Sequence, residues 1–315
     1  MGEFKRKNVL QRMRMSTPEL EVYYRNLRRY RFEQGYPLKG IKWREKAYRL
    51  FVKLVQIDRI LSHEKIIILK DEHTATQSPT IFAATHAGGL DITRICEAIR
   101  ANLYIFLGDP GEIYKNIYGL LAFLNGWIPF DTNNRLERKI ASFRAEELLL
   151  NSGNLLIFPE GAWNFSDHLP VTRVYNGAAR MALHTNAVIV PLAIEVYERT
   201  WYINIGKNIN PASFRRTDEN ALTERIRNEL ATLKWEIFEQ ASEARQITGR
   251  EKAEWEERVR RLCILGNDFS TEPAFIELVN YHDEADTIYK KPFAYLDQIT
   301  PRLETAFLFN KRNHN

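Results

Sequence analysis

The chain has 315 residues, enough to bury one large core or two modest ones without metal or disulfide staples. With 44% hydrophobic and 27% charged residues it falls outside the disordered and membrane-spanning classes, and no run approaches the roughly 18 consecutive apolar residues of a spanning helix. The formal charge of +5 is unevenly placed: residues 1–53 hold 15 Lys/Arg against 5 Asp/Glu, a balance of +10, leaving −5 for the remainder.

The opening Met1–Lys7 is charged but lacks the apolar run of an export signal, so a cytoplasmic location is expected. Thr17 to Ile60 reads as amphipathic helix broken near Gly35-Tyr36-Pro37, with tyrosines, Trp43 and arginines on one face or its border. A basic arm of this kind suits an anionic membrane surface, where each basic residue contributes about 1 kcal/mol, and implies peripheral attachment to the inner face. Nucleic acid would attract the same charge, but it is not the expected partner, and a solvated charged helix is the plain alternative.

From Lys65 the texture changes to short apolar runs expected to be buried strands: Ile66–Leu69, Ile81–Ala84, Leu103–Leu107, Asn154–Phe158 and Ala187–Ile194. Helical patterns at Asp91–Arg100, Leu136–Asn151 and Gly177–Thr185 separate several of them, which predicts an α/β fold with a mostly parallel sheet covered by helices and with helical amino- and carboxyl-terminal extensions. After Trp201–Ile205, the charged periodic stretch Asp218 to Leu262 reads as one or two long helices, and the aromatics beyond Gly266 are expected to pack onto the body. The expected organisation is a basic helical segment 1–62, a catalytic domain 63–212 and a helical extension 213–315. Cys96 and Cys263 are far apart in sequence and expected to be free, and no spacing of cysteines or histidines suggests a metal.

The chemistry concentrates in Thr85-His86-Ala87-Gly88-Gly89-Leu90-Asp91, just after a predicted buried strand. With His86 on the exposed turn at the strand end and Asp91 in the first turn of the next helix, the carboxylate can fold back onto the imidazole, fix its tautomer and leave the other ring nitrogen to take a proton from a hydroxyl. Alone, His-x-x-x-x-Asp also fits a helix cap beside a loop histidine. Phe158-Pro159-Glu160-Gly161 follows another buried run, so in a parallel sheet Glu160 would face the same crevice as His86, accepting from a substrate hydroxyl or pairing with a base such as Arg173. Gly126-Trp-Ile-Pro-Phe-Asp131 and the strand with Val190-Pro191 complete the set.

These four elements, in this order over residues 65–206, resemble the glycerolipid O-acyltransferase family that includes 1-acylglycerol-3-phosphate acyltransferases. The resemblance implies direct transfer of a fatty acyl group from acyl-CoA or acyl-carrier protein, used as co-substrate with no bound cofactor, to an acceptor hydroxyl. It implies His86 as general base, Asp91 as its orienting partner, Glu160 and Gly161 in the acceptor site, and Pro191 on a strand flanking the pocket. Backbone amides at Gly88 and Gly89 are candidate oxyanion donors.

The sequence departs from the family at two arginines expected to hold a phosphate-bearing acceptor: Thr132 and Trp163 stand there instead, with Arg135 three residues beyond the first. Neither threonine nor tryptophan reproduces the paired hydrogen bonds of a guanidinium, so a glycolipid, sugar or polyol acceptor is expected rather than lysophosphatidate. The alternatives are a phosphate acceptor held by Arg135, Arg138, Lys139 or Arg173, a thioester hydrolase, or a non-catalytic lipid-surface protein. No Gly-x-Ser-x-Gly elbow supplies a serine nucleophile.

Overall fold

The computed structural model describes residues 4–164 and 169–241, together with Glu257, Arg260 and Arg261, which are helical. The rest of the charged stretch beyond 241, Cys263 and the aromatic tail from Gly266 lie outside the described residues.

Seven strands form one sheet: β1 (Lys65–Asp71), β2 (Thr80–Ala84), β3 (Leu103–Gly108), β4 (Trp127–Phe130), β5 (Asn154–Ile157), β6 (Val188–Tyr197) and β7 (Thr200–Ile205). Their order is β1-β7-β6-β2-β5-β3-β4, and every neighbouring pair is parallel except β6 with β7. The central strands β2 and β5 are apolar without alternation because helices cover both faces. Alternate residues therefore feed two cores. Ile81, Ala83, Leu155, Ile157 and Ile189 face α6 (Arg135–Leu150), α7 (Gly177–Thr185) and α8 (Glu219–Gln240). Phe82, Ala84, Leu156, Phe158, Val190 and Leu192 face α3 (Ile41–Leu61), α4 (Asp91–Ile99) and α5 (Ile117–Asn125).

The run Ile66–Leu69 is not a buried strand. β1 lies at the sheet edge beside β7, with Ile67 39% and Ile68 43% exposed, because an edge strand has a neighbour on one side only. Lys65, Lys70 and a register shift between Ile68 and Lys70 interrupt that edge, as suits a strand that must not pair further.

Ahead of α3 stand α1 (Val9–Met13) and α2 (Thr17–Glu33). A Ser16–Glu19 capping box starts α2, and Gly35, Pro37 and Gly40 separate it from α3, with both glycines at positive φ. Arg28 ties α2 to Glu137 of α6 at 2.6 Å, and Arg25 reaches Asp131 at 3.7 Å. α3 buries Phe51 and Val55, and α8 buries Leu222, Ile226 and Leu230, so helices from both ends of the strand-rich region complete the two cores. Cys96 is a free, buried thiol that burial pushes up to about 12, consistent with an inert core residue.

Candidate active site

The carboxyl ends of β2, β5, β3 and β4 share one edge of the sheet, because those strands run parallel. β2 delivers Thr85 and His86 there, and α4 begins five residues after the histidine with Asp91 in its first turn. Asp91 is fully buried, and its Oδ2 accepts from His86 Nδ1 at 2.7 Å, from the Ala87 N–H at 2.8 Å and from the Gly88 N–H at 3.1 Å. Three donors converging on one oxygen fix the carboxylate and leave Nε2 as the ring nitrogen able to exchange protons. The Gly88 amide is thereby committed to Asp91, which removes it from the oxyanion donors expected at the helix start. Neither Gly88 nor Gly89 has positive φ, so the turn does not use the conformational freedom of glycine.

His86 is half-buried rather than exposed, its side chain 16% accessible. Its ring stacks on Phe158 with centroids 3.9 Å apart and meets Trp163 edge-on at 5.9 Å. The Phe158 contact follows from register: Phe158 comes one residue after β5, beside β2, and projects to the same face of the sheet as Ala84.

Glu160 does not offer its carboxylate to the crevice. It is 3% exposed; Oε1 accepts the His86 N–H at 3.2 Å, and Oε2 accepts the N–H and hydroxyl of Thr172, each at 2.8 Å. Burial raises its pKa, and the Thr172 hydrogen bonds, the nearby charge of Lys234 and the His86 N–H oppose that rise. Gly161 follows at φ +70°, where a Cβ would also press the Tyr175 ring at 2.9 Å, so glycine is required twice over. Beyond it, the Asn164 N–H donates to the His86 carbonyl at 2.7 Å, and the Asn164 side chain donates to the Leu169 carbonyl at 2.9 Å. The segment after β5 thus holds both main-chain polar groups of the histidine.

The second motif sits elsewhere. Gly126 closes α5 at φ +108°, with the Tyr104 ring 2.7 Å from where a Cβ would stand, and β4 then runs along the far edge of the sheet. Thr132 donates its N–H to Asp109 Oδ1 at 3.0 Å and its hydroxyl to Asp109 Oδ2, while its carbonyl accepts from Arg138. β5 and β3 intervene between β2 and β4, about 14 Å at the usual ~4.8 Å per strand. Trp163 therefore reaches His86, and Thr132 belongs to the β3–β4 corner rather than to the same contact set. Arg135 is exposed on the first turn of α6. Pro191 is buried on the opposite face from His86: it projects toward α8 and packs at Gly206, where it and Leu233 would each lie 3.0 Å from an added Cβ. Strand alternation places it there, away from any pocket over His86.

Residues that the sequence did not single out include Asn164 and Thr172, which carry no motif of their own, and the ring of Phe158, which stood in a motif but drew no role. Arg94, fully buried, anchors α4 to the end of α3 through Asp58 at 3.1 Å and Glu64 at 2.8 Å. No group of acidic, histidine or cysteine side chains suited to a metal ion occurs among the described residues.

Residues 65–195 match the family model described as Acyltransferase. No curated protein matches the chain. Among solved structures, the fold is similar to the crystal structure of the 1-acyl-sn-glycerophosphate (LPA) acyltransferase PlsC from Thermotoga maritima, with 18% identity and a TM-score of 0.51 over 71% of this chain and 90% of that one. His86, Asp91, Gly126–Asp131, Phe158–Gly161 and Pro191 all fall inside the span that matches the acyltransferase family model.

Proposed function

We propose that the protein transfers a fatty acyl group from acyl-CoA or acyl-carrier protein to the hydroxyl of a lipid or sugar acceptor, with His86 as general base. The 2.7 Å contact between His86 Nδ1 and the buried Asp91 carboxylate carries this reading. Nε2 takes the hydroxyl proton as the acceptor oxygen attacks the thioester carbonyl; the new C–O bond forms, the C–S bond breaks, and the imidazolium returns its proton to the departing thiolate. Asp91 stabilises the transient cation, while Phe158 and Trp163 hold the ring plane.

Trp163, edge-on to the base, favours an acceptor that brings an apolar face or sugar ring, with its hydroxyl near Nε2. A phosphate acceptor held by Arg135 is the competing reading, and the exposed position of Arg135 on the first turn of α6 gives it less support. The intact hydrogen-bonded pair disfavours a non-catalytic lipid-surface protein.

Peripheral attachment to an anionic membrane on the cytoplasmic side accords with the surface of α3. Trp43, Leu50, Leu54, Ile57 and Leu61 are exposed there among exposed Lys42, Lys46, Arg49 and Lys53. α5 extends this face with exposed Ile117, Leu120 and Phe123, and is held to α3 by Arg44 donating to the Phe123 carbonyl at 3.0 Å. Apolar side chains ringed by basic ones suit an interface between headgroups and acyl chains. Among the described residues, no helix is long and apolar enough to cross a membrane.

The deciding experiment incubates purified protein with radiolabelled acyl-CoA and acyl-carrier protein and a panel of lysophosphatidate, glycerol 3-phosphate and glycosylated lipids, read by mass spectrometry. An acylated acceptor that disappears in His86→Ala supports the reading; free fatty acid as the sole product, with every acceptor present, overturns it in favour of hydrolysis.

A further inference from the structure

A buried cation stands behind the proposed base, supplied by a helix outside the span that matches the acyltransferase family model. Lys234 of α8 is 1% exposed. Its Nζ lies 2.9 Å from Glu195 Oε2 and also donates to the Ile194 carbonyl. That carbonyl is shared with the hydroxyl of Thr85 at 3.3 Å, and Thr85 Oγ1 in turn accepts the Ile194 N–H at 3.0 Å. Thr85 immediately precedes His86, so the ammonium, one carbonyl and one hydroxyl form a continuous link from α8 to the residue before the base. Lys234 is also near enough to Glu160 for its charge to favour the carboxylate that holds the His86 N–H.

An ammonium taken out of water is costly unless it is paired and hydrogen-bonded, and a pair this deep is weak as a source of stability alone. Packing would be served as well by an apolar side chain. What an apolar side chain cannot supply is the donor to Ile194 and the positive charge beside Glu160.

We propose that Lys234 is a positioning residue for acyl transfer: through Ile194–Thr85 and through Glu160 it holds the main chain of His86 where the ring can serve as base, a role that rests on the reading of His86 given above. The His86 N–H after β2 and Thr172 from the segment before α7 donate to Glu160, the charge of Lys234 from α8 acts on it, and Glu195 of β6 pairs with the lysine. Loss of Lys234 leaves Glu160 without a cationic neighbour and favours its protonated form. Loss of the Glu195 charge lets the ammonium act on Glu160 uncompensated and favours the ionised form.

The test uses full-length Lys234→Met, Lys234→Arg, Glu195→Gln and His86→Ala. Transfer from palmitoyl-CoA to octyl glucoside and to lysophosphatidate is measured across pH, and the Glu160 carboxyl is titrated by carbon-13 NMR. In folded Lys234→Met, kcat falls about 10- to 100-fold with KM within about twofold, as misplacement of a base predicts. Its acid limb and the Glu160 titration both move to higher pH by about one unit. Lys234→Arg restores most of kcat, and Glu195→Gln moves the limb and the titration to lower pH. A folded Lys234→Met with unchanged kcat and acid limb overturns the proposal, as do shifts of the same sign in Lys234→Met and Glu195→Gln. If Lys234→Met does not fold, Glu195→Gln decides: a Glu160 titration that stays put or rises overturns it. Transfer that survives in His86→Ala instead removes the general-base reading, independently of the Glu160 titrations.

Discussion

The Glu160 carboxylate accepts the main-chain N–H of His86 at 3.2 Å, so a residue three positions after β5 fixes the start of the loop that follows β2. The same carboxylate takes two donors from Thr172, and the three bonds join three chain segments at the sheet edge. Glu160 therefore meets His86 through the histidine's backbone.

Glu160→Gln should lower stability by about 1–3 kcal/mol, because an amide presents one acceptor where the carboxylate presents two and turns an N–H toward existing donors. The pH dependence has a definite sign. Burial raises the Glu160 pKa above its unfolded value, so its contribution is fully present below the unfolded pKa and is lost as pH rises through the folded one. Urea unfolding at several pH values should show that decline, above the usual carboxylate range of about 4.3, in the wild type and not in Glu160→Gln. Parallel curves for the two proteins would contradict it.

His86→Ala should abolish transfer while leaving the fold intact, since the side chain lies against two aromatic rings at the surface of the core. Asp91→Asn should lower the rate by about 10²–10⁴-fold, because the amide can neither accept all three donors nor stabilise the imidazolium. Product formation with acyl-CoA, alongside circular dichroism, reads both. Near-normal turnover in a folded His86→Ala protein is the result that excludes the mechanism.

Lysophosphatidate should be a poor acceptor. Each missing charge-assisted contact is worth about 1.5–3 kcal/mol, so the tryptophan that stands beside His86 in place of an arginine shifts preference by roughly one to two powers of ten. Trp163→Ala should damage transfer to a sugar hydroxyl more than donor hydrolysis. Thr132→Arg should not rescue phosphate acceptors, because Asp109, which now takes both Thr132 donors, captures the guanidinium. Competition assays between lysophosphatidate and a glycolipid check this; a wild-type preference for lysophosphatidate that is lost in Arg135→Ala would assign the phosphate to Arg135.

Vesicle binding should depend on the outer face of α3. Deleting residues 1–53 is not a usable test, because it removes Tyr48 and Phe51 from the core. Changing Lys46, Arg49 and Lys53 to Glu should weaken binding to anionic vesicles by at least about 100-fold at about 1 kcal/mol per charge, with reduced salt sensitivity. Changing Leu50, Leu54 and Ile57 to Ser should weaken it at all salt concentrations. Sedimentation with phosphatidylserine vesicles measures both, and unchanged binding in both sets would leave α3 as a structural layer only.

Periodicity and residue type were enough to locate β1, β2, β3, β5 and β6 in outline, α2, α3, α4, α6 and α7, and the His86–Asp91 spacing, because buried runs and helical stripes are local properties. The same information could not tell an edge strand from a central one: Ile66–Leu69 is as apolar as Ile81–Ala84, and only the number of neighbours in the sheet leaves β1 exposed. Nor could it assign faces. Pro191 and Val190 are adjacent in sequence yet serve opposite layers, and Glu160 points inward because Thr172 and the His86 N–H meet it there. Thr132 and Trp163 look equivalent as departures from the family pattern, but two intervening strands separate the β4 corner from His86. Lys234 had no signal at all, since a buried lysine reads like any lysine on a charged helix until α8 packs against β6 and leaves its ammonium with Glu195 and the Ile194 carbonyl as partners. Local chemistry determined which residues could react; strand order and the partners met across the sheet decided which of them meet.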